Sequence, residues 1–563
     1  MNRIFFVFVL LVILFVEPCA SKLIQTQNND KNSPARVVNI INFIRQSEPR
    51  IEAITEDVLY NTVVQQYRLL IKYDMPGTFL LQYDALINPK YQSLLKDSVE
   101  KKIEVGAWWE ITQPHVEAAG LKWRGQYSWD WHANVGFATG YTPAEREKLV
   151  DAYMEKFKSI FGKYPATVGS WFIDAHTLAY MYEKYHIVGS CNCRDQIGTD
   201  GYTLWGGYWN NAYYPSRNNA YMPAQHPKMQ IPVPVFRMLG SDPIYQYDSG
   251  LGSDVQGVET LEPVFPGKGA DRGWVNYYFQ STFVSPALNL SYAQTGQENS
   301  FTWPRMKDGL QLQIPILDSL RKKGTIRLET LETTSKWFKK RFPVTPPTAV
   351  TALNDYRNEG NKTVWYNSRY YRANLLWKNN SFRFRDIHFF DEKMESTYLK
   401  KAGTSTQCVF KTLPVVDGFE WSTANDIAGL YLIEIDQNGK SSEVLCGDPV
   451  VVNLPNNILK VEWTEKSLNT TFIALFYENH FEIKTTNPNK KYIWALELRT
   501  NPKAELPFVS INNNLIKARF NNFNYLIRCD EGTISSPKKK GNVVFRLIPS
   551  AKNKIVFNCA MRK

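Results

Sequence analysis

The chain has 563 residues, of which 44% are hydrophobic, 21% charged and 14% aromatic. At about 100–200 residues per domain this length holds more than one core, and the composition excludes wholesale disorder. The 66 Lys and Arg exceed the 54 Asp and Glu by 12, but only Lys538-Lys539-Lys540 concentrates the excess. The charge therefore reads as a diffuse surface bias and argues against a nucleic-acid partner.

Arg3 precedes an apolar run from Ile4 to Val16, followed by Pro18-Cys19-Ala20-Ser21. A basic start, a short apolar core and a small residue at a cleavage point predict a secretory signal peptide over residues 1–20. The run is shorter than the roughly 20 residues of a membrane span. Cys19 as a lipid-anchor cysteine is the alternative. The chain is expected to be exported, to the periplasm or the outer membrane, with residues 21–35 as a linker. Six cysteines remain beyond Cys19. An even count in an exported chain permits disulfides, with Cys408–Cys446 and Cys529–Cys559 as the expected pairs. Cys191 and Cys193 share a strand face and read as spare buried thiols, because no further zinc ligands stand at suitable spacing.

Over residues 36–345 short apolar runs alternate with amphipathic stretches. Strands are predicted at 36–43, 77–83, 104–109, 167–173, 187–193, 233–239, 288–293 and 325–331. Helices are predicted at 55–73, 143–161 and 306–322. Thr142 and Pro143 suit a helix start and Gly162 a stop. This alternation predicts an α/β fold with a parallel sheet closed into a (β/α) barrel of seven or eight strands. After Pro343-Val344-Thr345-Pro346-Pro347 the texture changes. The runs 366–377, 381–390, 428–435, 450–454, 471–476 and 491–498 alternate polar and apolar, which predicts an antiparallel β-sandwich region over 346–563, as one large unit or two small ones.

A barrel gathers its chemistry at the carboxyl ends of its strands. Arg45 and Glu48 follow the first predicted strand, Glu110 the third, Asp174 and His176 the fourth, and Arg194, Asp195 and Asp200 the fifth. Arg237 and Asp242 follow the sixth, and Gln297-Glu298-Asn299 the seventh. A ring of carboxylates at one barrel end is poorly explained by packing. Ten of the 16 tryptophans lie between residues 108 and 303, including Trp108, Trp109, Trp131, Trp171, Trp205 and Trp303. Aromatic faces beside carboxylates suit sugar rings, whose C–H faces are apolar and whose hydroxyls need polar partners. As a group they predict a saccharide-binding cleft, although a single tryptophan serves equally as a loop anchor.

Thr167-Val168-Gly169-Ser170-Trp171-Phe172-Ile173-Asp174 resembles the strand of family-57 glycoside hydrolases in which a Trp precedes a catalytic carboxylate by three. Gln297-Glu298-Asn299-Ser300-Phe301-Thr302-Trp303, followed by a helix and residues 325–332, is similar to that family's acid-bearing segment. A barrel followed by a β-sandwich also resembles the related family-38 mannosidases, and the wider group includes polysaccharide deacetylases. The resemblance implies a retaining glycoside hydrolase with Asp174 as nucleophile and Glu298 as general acid/base, their carboxyls about 5–5.5 Å apart, and no cofactor. The chain departs from the family in having Asp where its nucleophile is usually Glu, Glu where its acid is usually Asp, and Asn42-Phe43-Ile44-Arg45 at the first-strand histidine motif.

Other assignments stay open at this point. Glu110 is an alternative acid, Asp195 an alternative structural partner of Arg194 or Arg237, and Asp200 a turn residue before Gly201. His132 and His176 are candidate substrate contacts or ordinary hydrogen-bonded histidines. A metal-dependent deacetylase needs paired aspartates after the first strand and two histidines on the third-strand loop, and the seven histidines show no close pair. A binding protein that keeps the cleft without turnover is the third class. In the sandwich, residues 366–372 and Arg383-Phe384-Arg385-Asp386 are candidates for reaching back to the barrel, or for a buried ion pair.

Overall fold

The computed structural model describes residues 33–96, 102–466, 470–486, 492–536 and 541–560. The expected signal segment 1–20 and most of the linker lie outside the described residues. The first strand, β1 (Ala35–Ile44), carries eight consecutive buried positions, the continuous apolar run of a strand covered on both faces. It is followed by β2 (Gly77–Leu81), β3 (Ile103–Trp108), β4 (Thr167–Gly169), β5 (Gly189–Asn192), β6 (Val235–Arg237) and β7 (Leu290–Thr295). These pair in parallel in the order β7-β1-β2-β3-β4-β5-β6. A short β8 (Arg327–Glu329) also pairs with β1. The barrel is closed between β6 and β7 by side chains: Phe236 lies 4.9 Å from Tyr292, and Gln294 Oε1 accepts from the Leu239 amide at 2.8 Å.

The main outer helices are α1 (Glu56–Lys72), α2 (Pro143–Phe161), α3 (Ala175–Tyr185), α4 (Arg272–Phe283), α5 (Trp303–Lys322) and α6 (Leu331–Arg341). Local chemistry sets their ends. Thr142 and Glu145 form a capping box before α2, Pro143 occupies its first turn, and Gly162 ends it at φ 73°, the left-handed conformation that glycine adopts without Cβ strain. The predicted strand 167–173 stops at Gly169. Ser170 Oγ then donates to the carbonyls of Trp109 and Phe172, turning the chain into a loop that ends in the cap of α3.

Two antiparallel sheets follow. One runs in the order 348–352, 362–367, 371–378, 381–389, 429–435, 493–499, 543–548 and 533–535. The other runs 450–454, 458–464, 471–476, 480–486, 554–558, 523–531, 515–520 and 508–511. Trp377 meets Trp463, and Phe384 meets Phe476 and Phe481, so the two inner faces form a single large sandwich. The run predicted at 366–377 is divided, because Ser368–Tyr370 make the turn of a hairpin.

Barrel and sandwich pack into one unit. Cys408–Lys411 pairs in parallel with Tyr202–Trp205 of the barrel loops, Trp209 stacks on Trp365 at 3.7 Å, and Arg385 donates to the Ile244 carbonyl. The expected disulfides are corrected: all six described cysteines are free and buried. Cys408 lies in the strand beside Tyr202, whereas Cys446 bridges to Glu465 in the sandwich. Cys529 and Cys559 direct their thiols to the carbonyls of Glu531 and Phe557. No described helix is long and apolar enough to cross a membrane.

Candidate active site

The loops at the carboxyl ends of the barrel strands enclose a cavity of about 390 Å³. Its lining includes Arg45, the residue that follows β1. The Arg45 amide donates to Asn299 Oδ1 at 2.9 Å, and Asn299 Nδ2 donates back to the Arg45 carbonyl at 2.8 Å. This reciprocal bond ties the end of β1 to the loop after β7. Gly296 makes the approach feasible. Its φ is 97°, and a Cβ there would stand 2.2 Å from the Ile41 carbonyl oxygen, so a side chain would push the loop carrying Glu298 off the barrel.

The Arg45 guanidinium sits among three carboxylates. It donates to both oxygens of Glu110 at 2.9 and 2.6 Å, and lies 3.1 Å from Glu298 Oε2 and 3.8 Å from Glu48 Oε2. The Trp129 ring covers it at 4.2 Å. Glu110 also accepts from Gln82 at 3.0 Å and from the Trp171 indole at 2.8 Å. Four donors on one carboxylate hold Glu110 rigidly in place.

Glu298 is different. It is 6% exposed and lines the cavity. Ser300 donates to its Oε1 at 2.6 Å, while Oε2 faces Arg45 without an aligned hydrogen bond. Burial pushes its carboxyl up to about 7; Arg45 and Ser300 oppose the rise and the charge of Glu110 adds to it. The result is an acid that exchanges its proton near neutrality, the property a general acid or base needs.

The walls are aromatic and charged. Trp131 and Trp171 are half-buried in the lining. Arg50 is held bidentately by Glu48 and lies 5.2 Å over Trp129 and 5.4 Å over Trp131. Glu262 also lines the site, accepts from Gln297 and Thr260, and has its carboxyl raised by burial. Arg194, Tyr202, Phe301 and Arg305 complete the part of the wall that matters here. Asp200 serves both roles left open for it: it sits at φ 55° in a turn and lines the cavity rim.

Of the sequence-predicted site residues, the cavity brings together Glu298, Trp131, Trp171 and Asp200, with Glu110 fixed behind Arg45 and Trp171. Asp174 is a correction. It is fully buried and caps α3, accepting from the Thr177 amide, the Thr177 hydroxyl and Arg146 at 2.9, 2.6 and 2.9 Å. Both oxygens are committed, and it does not line the cavity with Glu298. Asp195 pairs with Arg237 and Arg372 at the junction with the sandwich, and the Trp205 indole donates to Asp417 there. Asp242 accepts from the backbone of Ile244 and Tyr245 and from Trp274 and Tyr277. Trp108 packs on Phe43 and Trp171, and Trp109 on His115. Trp303 opens α5 and packs on the small Val264–Met306–Leu310 cluster. His132 pairs with Asp130, and His176 with Glu147. None of these lines the cavity.

A deacetylase metal needs paired acids after the first strand and histidines on the third-strand loop. Among the described residues no group of three His, Cys, Asp or Glu is placed to hold a metal ion. At the end of β1, where such chemistry needs paired acids, Arg45 places its own cation between Glu110, Glu298 and Glu48. The residues present do not fit that metal.

No family model matches the chain, and no curated protein matches it. Among solved structures it is similar to a candidate glycoside hydrolase/deacetylase from Parabacteroides distasonis, with 14% identity over 68% of this chain and 89% of that one and a TM-score of 0.48. It is also similar to a candidate polysaccharide deacetylase from Mycobacterium smegmatis, with 11% identity over 57% and 96% and a TM-score of 0.35. A 4-alpha-glucanotransferase from Thermococcus litoralis matches with 9% identity over 93% and 99% and a TM-score of 0.26. These are weak likenesses of shape, and the barrel and sandwich rest on the strand pairing described above.

Proposed function

We propose that this chain is a carbohydrate hydrolase acting at the mouth of its barrel, with Glu298 as the group that gives and takes the proton. The observation that carries this reading is the buried Glu298 carboxyl, one oxygen of which has no aligned hydrogen bond, in one concave site with the half-buried rings of Trp131 and Trp171; burial pushes that carboxyl up to about 7. Indole faces hold the apolar faces of sugar rings, and an acid poised near neutrality protonates a leaving oxygen or activates water. Export of the chain is part of the proposal and rests on the pattern of residues 1–20.

The Asp174–Glu298 retaining pair has no support in the geometry. The carboxylates beside Glu298 are committed to arginines, Glu110 to Arg45 and Glu48 to Arg50. That arrangement favours water as the nucleophile, and with it either an inverting cleavage or removal of an acyl substituent from a saccharide. Glu262, which lines the cavity, accepts from Gln297 and Thr260 and feels the charge of Arg194 only at longer range, is the carboxylate available to position that water.

The test is a screen of oligosaccharides, aryl glycosides and acetylated oligosaccharides, reading new reducing ends and released acetate separately. The proposal expects one of the two products, and loss of at least about a hundredfold in turnover for Glu298→Gln. Turnover that survives Glu298→Gln unchanged, in a folded variant, would remove Glu298 from the reaction.

A further inference from the structure

Arg194 follows β5 and lines the cavity, yet is only 2% exposed. Its Nη1 donates to the Asp195 carbonyl at 2.6 Å, and its Nε is buried with no hydrogen-bond partner. Among the described residues no carboxylate lies within ion-pair distance of it, in contrast to Arg45 and Arg50 in the same wall. The charge of buried Glu262 reaches it only from beyond ion-pair distance; a desolvated guanidinium so loosely balanced is costly, and the cost is relieved by an anion that offers paired acceptors.

The other charges leave that role to a ligand. Glu48 is shared between Arg50 and Arg45. Glu262 acts on Arg194 only at longer range and accepts instead from Gln297 and Thr260, and Glu298 faces Arg45. Asp200 stands exposed at the rim. A second cation, Arg305, lies on the same wall with its guanidinium 5.0 Å over Phe301. It belongs to the first turn of α5, which holds no acidic residue, so the positive end of that helix adds to the field.

We propose that the cavity takes an acidic saccharide whose anionic substituent pairs with Arg194, with Arg305 assisting at the rim. This rests on the carbohydrate reading above and narrows it to sugars bearing a carboxylate, sulfate or phosphate. Neutral parents of the same sugars lack the group that neutralises Arg194.

The experiment is calorimetric titration of the full chain with matched gluco-, galacto- and manno-oligosaccharides in four forms: neutral, uronate, sulfated and phosphorylated. One anionic form should bind at least about tenfold more tightly than its neutral parent, and the arm that does so identifies the substituent. Arg194→Gln should remove most of that preference, read as the ratio of anionic to neutral affinity. Arg305→Gln, at an exposed position with little risk to folding, should reduce the preference about threefold. Thermal melts establish that both variants are folded, and Arg194→Lys, which keeps the charge, should retain part of the preference. Equal binding of neutral and anionic forms overturns the inference and leaves the carbohydrate reading standing. Absence of binding by any sugar in any form overturns both.

Discussion

Two buried arginine–carboxylate clusters stand within the same molecule, and they are built to different ends. At the barrel–sandwich junction, Arg372 grips both oxygens of Asp386 at 2.8 Å and also meets Asp195, whose remaining contacts are Arg237, Tyr221 and the Gly206 amide. Every oxygen of these two carboxylates has a partner. At the barrel mouth, Arg45 saturates Glu110 but leaves Glu298 Oε2 without an aligned bond, and Arg194 Nε has no partner. The junction carboxylates are saturated, although Arg237 Nε and Nη1 are buried there without partners, and they tie the barrel to the sandwich; the open carboxylate oxygen at the mouth is available to a ligand and to a proton.

This contrast can be broken by mutation. The largest effect is expected from Arg372→Met, which leaves Asp195 and Asp386 as buried carboxylates short of a cation and should cost about 3–5 kcal/mol in urea denaturation. A loss under about 1 kcal/mol would show that the junction network does not hold the barrel to the sandwich. Asp174→Ala removes a helix cap and the anion facing the buried Arg146, for a loss of about 2–4 kcal/mol. Asp174→Asn keeps the cap and should recover about 1 kcal/mol of it.

Glu298→Gln sharpens the comparison through pH. Between the ordinary carboxyl value of 4.5 and about 7, the folded chain holds the Glu298 proton and the unfolded chain does not. Stability from this group is therefore full below that window and falls as pH rises through it. The Gln variant should lack this part of the slope and be more stable than wild type at pH 8, on the order of 1–3 kcal/mol. Parallel stability profiles for the two proteins would contradict the raised pKa. The smallest effect is expected for Trp131→Ala: stability unchanged within about 0.5 kcal/mol, and saccharide affinity reduced about three- to tenfold. Unaltered affinity would remove Trp131 from the binding surface.

Much of the barrel was legible because its signals are local. The run of residues 35–44, the Thr142–Pro143 start and the Gly162 stop all report conformation without reference to distant residues. The site was less legible because its signals are double. Asp174 after a strand reads as a nucleophile by its likeness to a family motif, yet Asp three residues before the Thr177 amide is equally a helix cap, and the structure uses it as one. Glu262 lies in the long connection between β6 and α4, where no periodicity points to it. Arg45 was visible at the end of β1, but its role depends on Glu110 and Glu298, 65 and 253 positions away in the chain. The cysteine count allowed pairing that strand positions do not permit.

The most direct measurement compares turnover of wild type, Glu298→Gln and Asp174→Asn on the saccharide identified by the screen, each at matched folded fraction. Loss of turnover in Glu298→Gln with retention in Asp174→Asn is the result this account predicts. The reverse pattern, with Asp174→Asn inactive and Glu298→Gln active, would place the chemistry at the cap of α3 and contradict it.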